Sequence, residues 1–360
     1  MTRRLVSSTI MILLLCGTGV FALQDKISPL SDYMYKRDYP RYEEIKKETD
    51  PQKLAGRFIE FLKERPINKL LPYILSDYQG VIDGYLKKEE WDKAISAAKE
   101  MLAVLPTDKA IEDEEIPAGV DEFKKQLQQV QQSMQQIIQT AEFASSYSSG
   151  NWAKAAELQE KINAASPSIQ GVQVLADIYL RMENYDKYME NAKKIMAEFP
   201  ITQPQGFDAA YQTLLIYRKK SDVPAMTDLY RKLMDAYGDK LPEGFPAAEW
   251  NQERAIAYKL FAQEPYAAKD YPKAMELFEK VVKADPSDGD AWYYIGMCKW
   301  QIEGQSGAIE PFAKSVVLNK TTAARARQYL EQIHDTLTKQ EKAPGSLDEI
   351  LAKAKAALGL

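Results

Sequence analysis

The chain has 360 residues, with 47 Lys and Arg against 52 Asp and Glu, one histidine and two cysteines. A formal net charge of −5, with both signs interspersed and no basic stripe, excludes the electrostatic footprint of a nucleic-acid binder. One histidine with no cysteine beside it excludes an ordinary zinc site, and loss of Cys16 with an N-terminal leader would leave Cys298 without an intramolecular disulfide partner.

In chain order, Arg3 and Arg4 precede an apolar stretch from Leu5 to Leu15, interrupted by Ser7, Ser8 and Thr9. Val20-Phe21-Ala22 then offers a small-residue cleavage site. This is the layout of a secretory signal peptide over 1–22, and the run is too short to span a bilayer as a stable helix. The expectation is export, to the periplasm or outside the cell. Leu13-Leu14-Leu15-Cys16 is also similar to a bacterial lipobox, apart from the large Leu15 where a small residue belongs, so Cys16 is the one candidate for lipidation and a membrane tether.

Residues 23–49 carry Tyr33, Tyr35, Tyr39 and Tyr42 among charges and read as an extended N-terminal arm. Asp50-Pro51 has the form of an N-cap followed by proline at the first helical position. Leu54, Phe58, Phe61 and Leu62 follow on one face, and the helix ends before Pro66. The segment 50–108 closes on a first repeat-like hairpin around Trp91, with Tyr85, Ala94, Ala98 and Pro106. Residues 109–120, acidic from Glu112 to Glu115 and ending in Pro117-Ala118-Gly119, read as an exposed linker. The acidic run lacks the spaced ligands and central glycine of a calcium loop.

A glutamine-rich helix follows over 121–141. Its apolar residues Phe123, Leu127, Val130, Met134, Ile137 and Ala141 alternate steps of four and three, as a heptad seam requires. Two readings stand: a short coiled coil that makes a homo-oligomer, or a lengthened first helix of the hairpin completed around Trp152. Residues 121–240 hold degenerate hairpins, with Ala155 and Pro167, then Leu175, Ala176, Tyr179, Ala192 and Pro200, then Tyr217 and Tyr230.

The strongest signal lies in 247–320. Tyr258, Phe261, Ala262, Ala274 and Phe278 return as Trp292, Ile295, Gly296, Ala308 and Phe312, each displaced by 34 positions. A period of this length marks a helical hairpin that buries its apolar face only by stacking on a copy of itself. Residues 321–360 supply a capping helix from Ala323 to Leu337 and a tail. Ser346-Leu347-Asp348-Glu349 has capping-box spacing, and Leu347, Ile350, Leu351, Ala354 and Leu358 form a short apolar face. That face either docks on the array or takes a partner.

The echo resembles the tetratricopeptide repeat (TPR) of exported bacterial proteins. The residues that carry the resemblance are Ala274, Phe278, the closing Pro286, Trp292, Gly296, Ala308 and Phe312. The resemblance implies an all-α, right-handed superhelical solenoid of antiparallel helix pairs, irregular, with about six repeats. It further implies a concave groove lined by the first helix of each hairpin. The matching positions are Tyr211, Leu215, Arg218 and Lys219 in the fourth copy, Lys259 and Gln263 in the fifth, and Asp290, Tyr293, Met297, Trp300 and Gln301 in the sixth. Large aromatics there suit a peptide or helix; the alternative is that Tyr293 and Trp300 pack between repeats.

No nucleophile elbow, phosphate-binding glycine loop or HExxH pair occurs. His334 reads as a surface or interhelix residue and Cys298 as a buried apolar filler. The expectation is a non-enzymatic adaptor or assembly scaffold of the bacterial envelope, with no catalytic residue, cofactor or metal and an unidentified protein partner. The alternatives are a lipid-anchored assembly factor and a binder of an envelope saccharide through exposed tyrosines.

Overall fold

The computed structural model describes residues 32–113 and 120–360, which form seventeen α-helices and no strand. The expected leader, Cys16 and Pro117 to Gly119 lie outside the described residues. Seven links between helices have only three residues, and one consists of Gly304 alone. Five of the seven, and the Gly304 link, pass through a residue of positive φ: Glu89, Gly150, Glu183, Ser221, Lys269 and Gly304. In four of them the next residue is an N-cap, as Asn151, Asn184, Asp222 and Asp270 accept the amides of Lys154, Lys187, Ala225 and Lys273. So short a link folds consecutive helices back on one another, which is what makes the hairpin the unit.

The chain divides into two compact units, 1–194 and 195–360. In the first, α1 (Asp32–Lys46) precedes α2 (Pro51–Glu64), whose N-cap Asp50 accepts the Lys53 amide at 2.9 Å. Two hairpins follow, α3 (Leu71–Lys87) with α4 (Trp91–Val104) and, after the short α5 (Asp108–Asp113), α6 (Val120–Ser148) with α7 (Trp152–Ala165). A third hairpin is α8 (Ile169–Arg181) with α9 (Tyr185–Glu198), the latter crossing the unit boundary.

Three expectations are corrected here. Residues 32–46 of the expected arm are helical, because Tyr35, Tyr39 and Tyr42 do share a face: their rings follow one another at 5.3 and 6.3 Å. Tyr42 is buried on Phe58 and its hydroxyl donates to Asp77 at 2.6 Å. The expected linker begins as α5, since Ile111 is buried in the unit's core and Glu112 pairs with Lys124 at 2.7 Å. The heptad seam of α6 is covered by the chain itself. Phe123, Leu127, Val130 and Met134 are buried in one cluster with α2, α3 and α4, and Ala141 is fully buried. Each large member of that seam contributes about 1.5–3 kcal/mol by its burial, so the face is spent on folding and is unavailable for a coiled coil.

In the second unit, α10 (Pro204–Lys219) pairs with α11 (Val223–Tyr237), α12 (Ala247–Ala267) with α13 (Tyr271–Ala284), and α14 (Gly289–Glu303) with α15 (Gln305–Leu318). The residues of the 34-position echo do the packing: Ala262, Ala274, Ala308 and Phe312 are fully buried, and Gly296 is buried against the Phe312 ring. The echo extends further than the sequence pattern shows. Lys280 lies 5.7 Å over Tyr258 and bonds Glu276, while Lys314, 34 positions later, lies 4.1 Å over Trp292 and bonds Glu310. Trp292 Nε1 donates to the carbonyl of Pro286 at 3.0 Å, so the closing proline anchors the aromatic that follows it.

The capping helix is α16 (Ala323–Lys339), and the tail is α17 (Leu347–Ala357), started by a complete capping box at Ser346 and Glu349. Ile350 and Ala354 are buried with Ile309, Phe312 and Ile333, so the tail docks on the array, chiefly against α15. His334 sits where the sequence reading puts it, its Nε2 2.9 Å from the Gly345 carbonyl in the link between the two helices.

Candidate partner-binding surface

The residues expected to line a groove lie on α10, α12 and α14, the first helices of their hairpins, but they do not share one environment. On α14 the face is largely closed. Tyr293 is 6% exposed, with Phe312 at 5.8 Å and Tyr329 of α16 at 6.3 Å. Trp300 sits edge-on to Tyr329 at 5.4 Å and to Phe312 at 6.3 Å, and Met297 packs half-buried in the same cluster. Asp290 accepts both the amide and the hydroxyl of Thr322, at 2.9 and 2.8 Å, which pins the start of α14 to the link before α16. The capping helix thus supplies the ring, Tyr329, that occupies the aromatic positions of the last repeat. Only Gln301 remains exposed there among the expected residues.

On α10 and α12 the arrangement is different. Glu253, buried on α12, accepts Arg218 of α10 at 2.5 Å, Tyr230 of α11 at 2.5 Å and Tyr211 of α10 at 3.3 Å. Three helices therefore share one buried carboxylate, whose acceptor capacity is used by a guanidinium and two phenols. Burial, with the adjacent Glu253 charge, pushes the Tyr211 phenol up to about 12 and holds Tyr230 neutral as well. Arg218 keeps 38% of its side chain exposed while its Nη2 is bound on the inner side. Lys259 reaches Asp288, the N-cap of α14, at 2.5 Å. These bonds fix the spacing of α10, α12 and α14.

Of the expected residues on these helices, Lys219 and Gln263 are exposed and Leu215, Arg218 and Lys259 are open in part, and beside them on α12 Ile256 is a large apolar side chain 37% exposed. Ile256 is absent from the expected groove. The signal for it is the period, because Ile256 stands 34 positions before Asp290. The buried role of Glu253 is not legible in the same way, since an exposed glutamate on a helix has the same sequence signature.

Cys298 is fully buried, and burial pushes its thiol up to about 12, so it packs as a small apolar side chain. Among the described residues, no group of three or more His, Cys, Asp or Glu is placed to hold a metal ion, and no helix is long and apolar enough to cross a membrane.

The hairpins are tetratricopeptide-like. A small residue of the first helix meets a large ring of the second, as at Gly296 and Phe312, and the unit recurs. No protein-family model and no curated protein sequence matches the chain. Among solved structures, a MamA structure (AMB-1) is 16% identical, covering 51% of this chain and 91% of that one with a TM-score of 0.32. A tetratricopeptide repeat protein from Parabacteroides merdae is 12% identical, covering 84% and 99%, with a TM-score of 0.29. The TPR domain of P58(IPK) is 15% identical, covering 98% of each chain, with a TM-score of 0.31. At such scores none of these proteins lends this chain a partner, and the fold rests on the helices described above.

Proposed function

We propose that this chain is a non-catalytic protein-interaction scaffold that takes a peptide or helix on the first-helix face of α10 and α12. One observation carries the reading: exposed Ile256 lies one turn from both Glu253 and Lys259 on α12, where Glu253 holds half-open Arg218 of α10 and Lys259 holds Asp288 of α14, so its surroundings are set by those bonds. An apolar anchor with cationic neighbours on a pre-set frame is what an interface core needs, because little ordering remains to be done on binding. The chemistry favours a partner segment with an apolar side chain flanked by acceptors.

The scaffold acts in the bacterial envelope in this reading, supported by Arg3 and Arg4, the apolar run after them and Val20-Phe21-Ala22. If Cys16 is retained and acylated, the same scaffold is tethered to a membrane, which acyl-chain labelling against a Cys16→Ala chain decides.

The test of binding is capture from an envelope extract by the full chain and by Ile256→Asp, after melting shows that the variant folds as the parent does. A protein retained by the parent and lost by the variant supports the reading. Equal retention by both moves the site elsewhere, and no retained protein removes the interaction role.

A further inference from the structure

The link between α11 and α12, residues 238–246, is the longest between helices of the second unit, and it is tied down at two points. Near its start, Asp239 pairs with Arg254 of α12 and with Lys283 of α13, the latter at 2.9 Å. Near its end, Phe245 enters a nest of rings, edge-on to Tyr211 at 4.9 Å, Phe207 at 5.2 Å and Trp250 at 6.3 Å. Between these anchors Leu241 is 49% exposed. Gly238 at φ 54 and Gly244 at φ 71 bracket the segment in conformations that suit glycine.

Two features distinguish this from an ordinary packed loop. First, Phe245 lies on Tyr211, one of the residues that the repeat pattern assigns to the binding face. Second, two donors on successive turns of α12 are buried without a hydrogen-bond partner: Trp250 Nε1 and Arg254 Nε. Trp250 and Arg254 are four residues apart and so share a side of the helix. Buried donors are almost always paired, and these two belong to the side chains that hold the strap, Trp250 beside Phe245 and Arg254 on Asp239. The anchors themselves are of unequal strength. Asp239 is 61% exposed, so its ion pairs are open to screening by salt, whereas Phe245 is half-buried among aromatics.

We propose that residues 238–246 are a self-ligand, a strap that occupies the α10–α12 end of the binding face until a partner segment carrying an aromatic side chain and a carboxylate displaces it. The inference rests on the binding face described under Proposed function and specifies what that face reads. The partner's ring takes the place of Phe245 against Tyr211 and Phe207, and its carboxylate takes the place of Asp239 on Arg254 and Lys283. Acceptors on the partner backbone satisfy the donors that the strap leaves unpaired. Because the strap is tethered, its effective concentration is high, and it lowers the apparent affinity of any competitor by the fraction of chains in which it is closed.

The test needs no natural partner. A labelled peptide copying residues 236–248 is titrated against the full-length parent chain and against the full-length double variant Asp239→Asn, Phe245→Ala. The proposal expects the opened chain to bind the peptide at least tenfold more tightly than the parent, and expects a peptide with alanine at the Phe245 position to lose that binding. Equal binding by parent and variant, no binding by a folded variant, or equal binding of the alanine peptide overturns it. Should the double variant fail to fold, Asp239→Asn alone decides, since that side chain is exposed: faster proteolysis at Lys240 with no change elsewhere supports the strap, and an unchanged rate overturns it. A negative result here leaves the capture experiment with Ile256→Asp intact, so the two readings fail separately.

Discussion

A Cβ atom built on Gly296 would lie 2.6 Å from Cδ1 of Phe312, closer than real contacts allow. Phe312 is fully buried, so neither the ring nor the helix behind it moves without cost. Gly296→Ala is therefore expected to destabilise the second unit by about 1–3 kcal/mol, as overpacking of a filled core does. Gly80, exposed in the middle of α3, has nothing within 4 Å of its added Cβ, and Gly80→Ala is expected to stabilise by up to about 1 kcal/mol through helix propensity. Urea unfolding of the two variants should move in opposite directions.

The turns make a second prediction. Lys269 sits at φ 62 between α12 and α13, a conformation that costs a non-glycine residue about 1–2 kcal/mol. Lys269→Gly relieves this but loosens the unfolded chain, so a net gain of several tenths to about 1 kcal/mol is expected. A lower denaturation midpoint than the parent would show that the Lys269 side chain has a stabilising role.

The Glu253 network should be asymmetric. Removing Arg218 leaves a carboxylate that is 7% exposed without its cation, whereas removing Glu253 leaves an arginine that already reaches water. Arg218→Ala is expected to cost about 3–5 kcal/mol and Glu253→Ala less, because the penalty follows the group that stays buried and unpaired. Parallel urea titrations settle the order.

Alkaline stability follows from the buried acids. Burial pushes Cys298 from 9.0 up to about 12, and Tyr211 and Tyr266 from 10.0 up to about 12. Their folded pKa values are raised, so the folded chain keeps protons that the unfolded chain releases. Their contribution is complete below about pH 9 and is lost as the pH rises to about 12. The melting temperature should fall through that window, less steeply in Cys298→Ala, and the native thiol should resist alkylation at pH 8. Rapid alkylation of native chain at pH 8 would show that Cys298 is reached from solvent.

Much of the array was legible in the sequence, for identifiable reasons. Small-to-large pairs such as Gly296 with Phe312 recur at a fixed offset because hairpins stack in register, and the capping box at Ser346 and Glu349 is local chemistry. The turns were less visible, since Glu89, Glu183, Ser221 and Lys269 take positive φ without being glycine. What escaped depended on neighbours distant in sequence. Nothing near Tyr293 or Trp300 foretells that Tyr329 covers them. Nothing in the seam of α6 says that α2, α3 and α4 bury it, and Glu253 declares its three partners only when α10, α11 and α12 meet. The heptad pattern illustrates the limit best, because a seam of Phe123, Leu127, Val130 and Met134 fits a partner chain and a neighbouring helix equally.

The account's central claim is that partners meet the chain on the α10–α12 face, and site-specific photocross-linking tests it most directly. A photoreactive side chain is placed at Ile256 and, separately, at Lys355, an exposed position on α17 outside that face. Both full-length chains are irradiated in envelope extract. The account predicts a discrete adduct from position 256 that unlabelled parent chain competes away, and none from position 355. Adducts of equal yield from both positions, or none from 256, would contradict it.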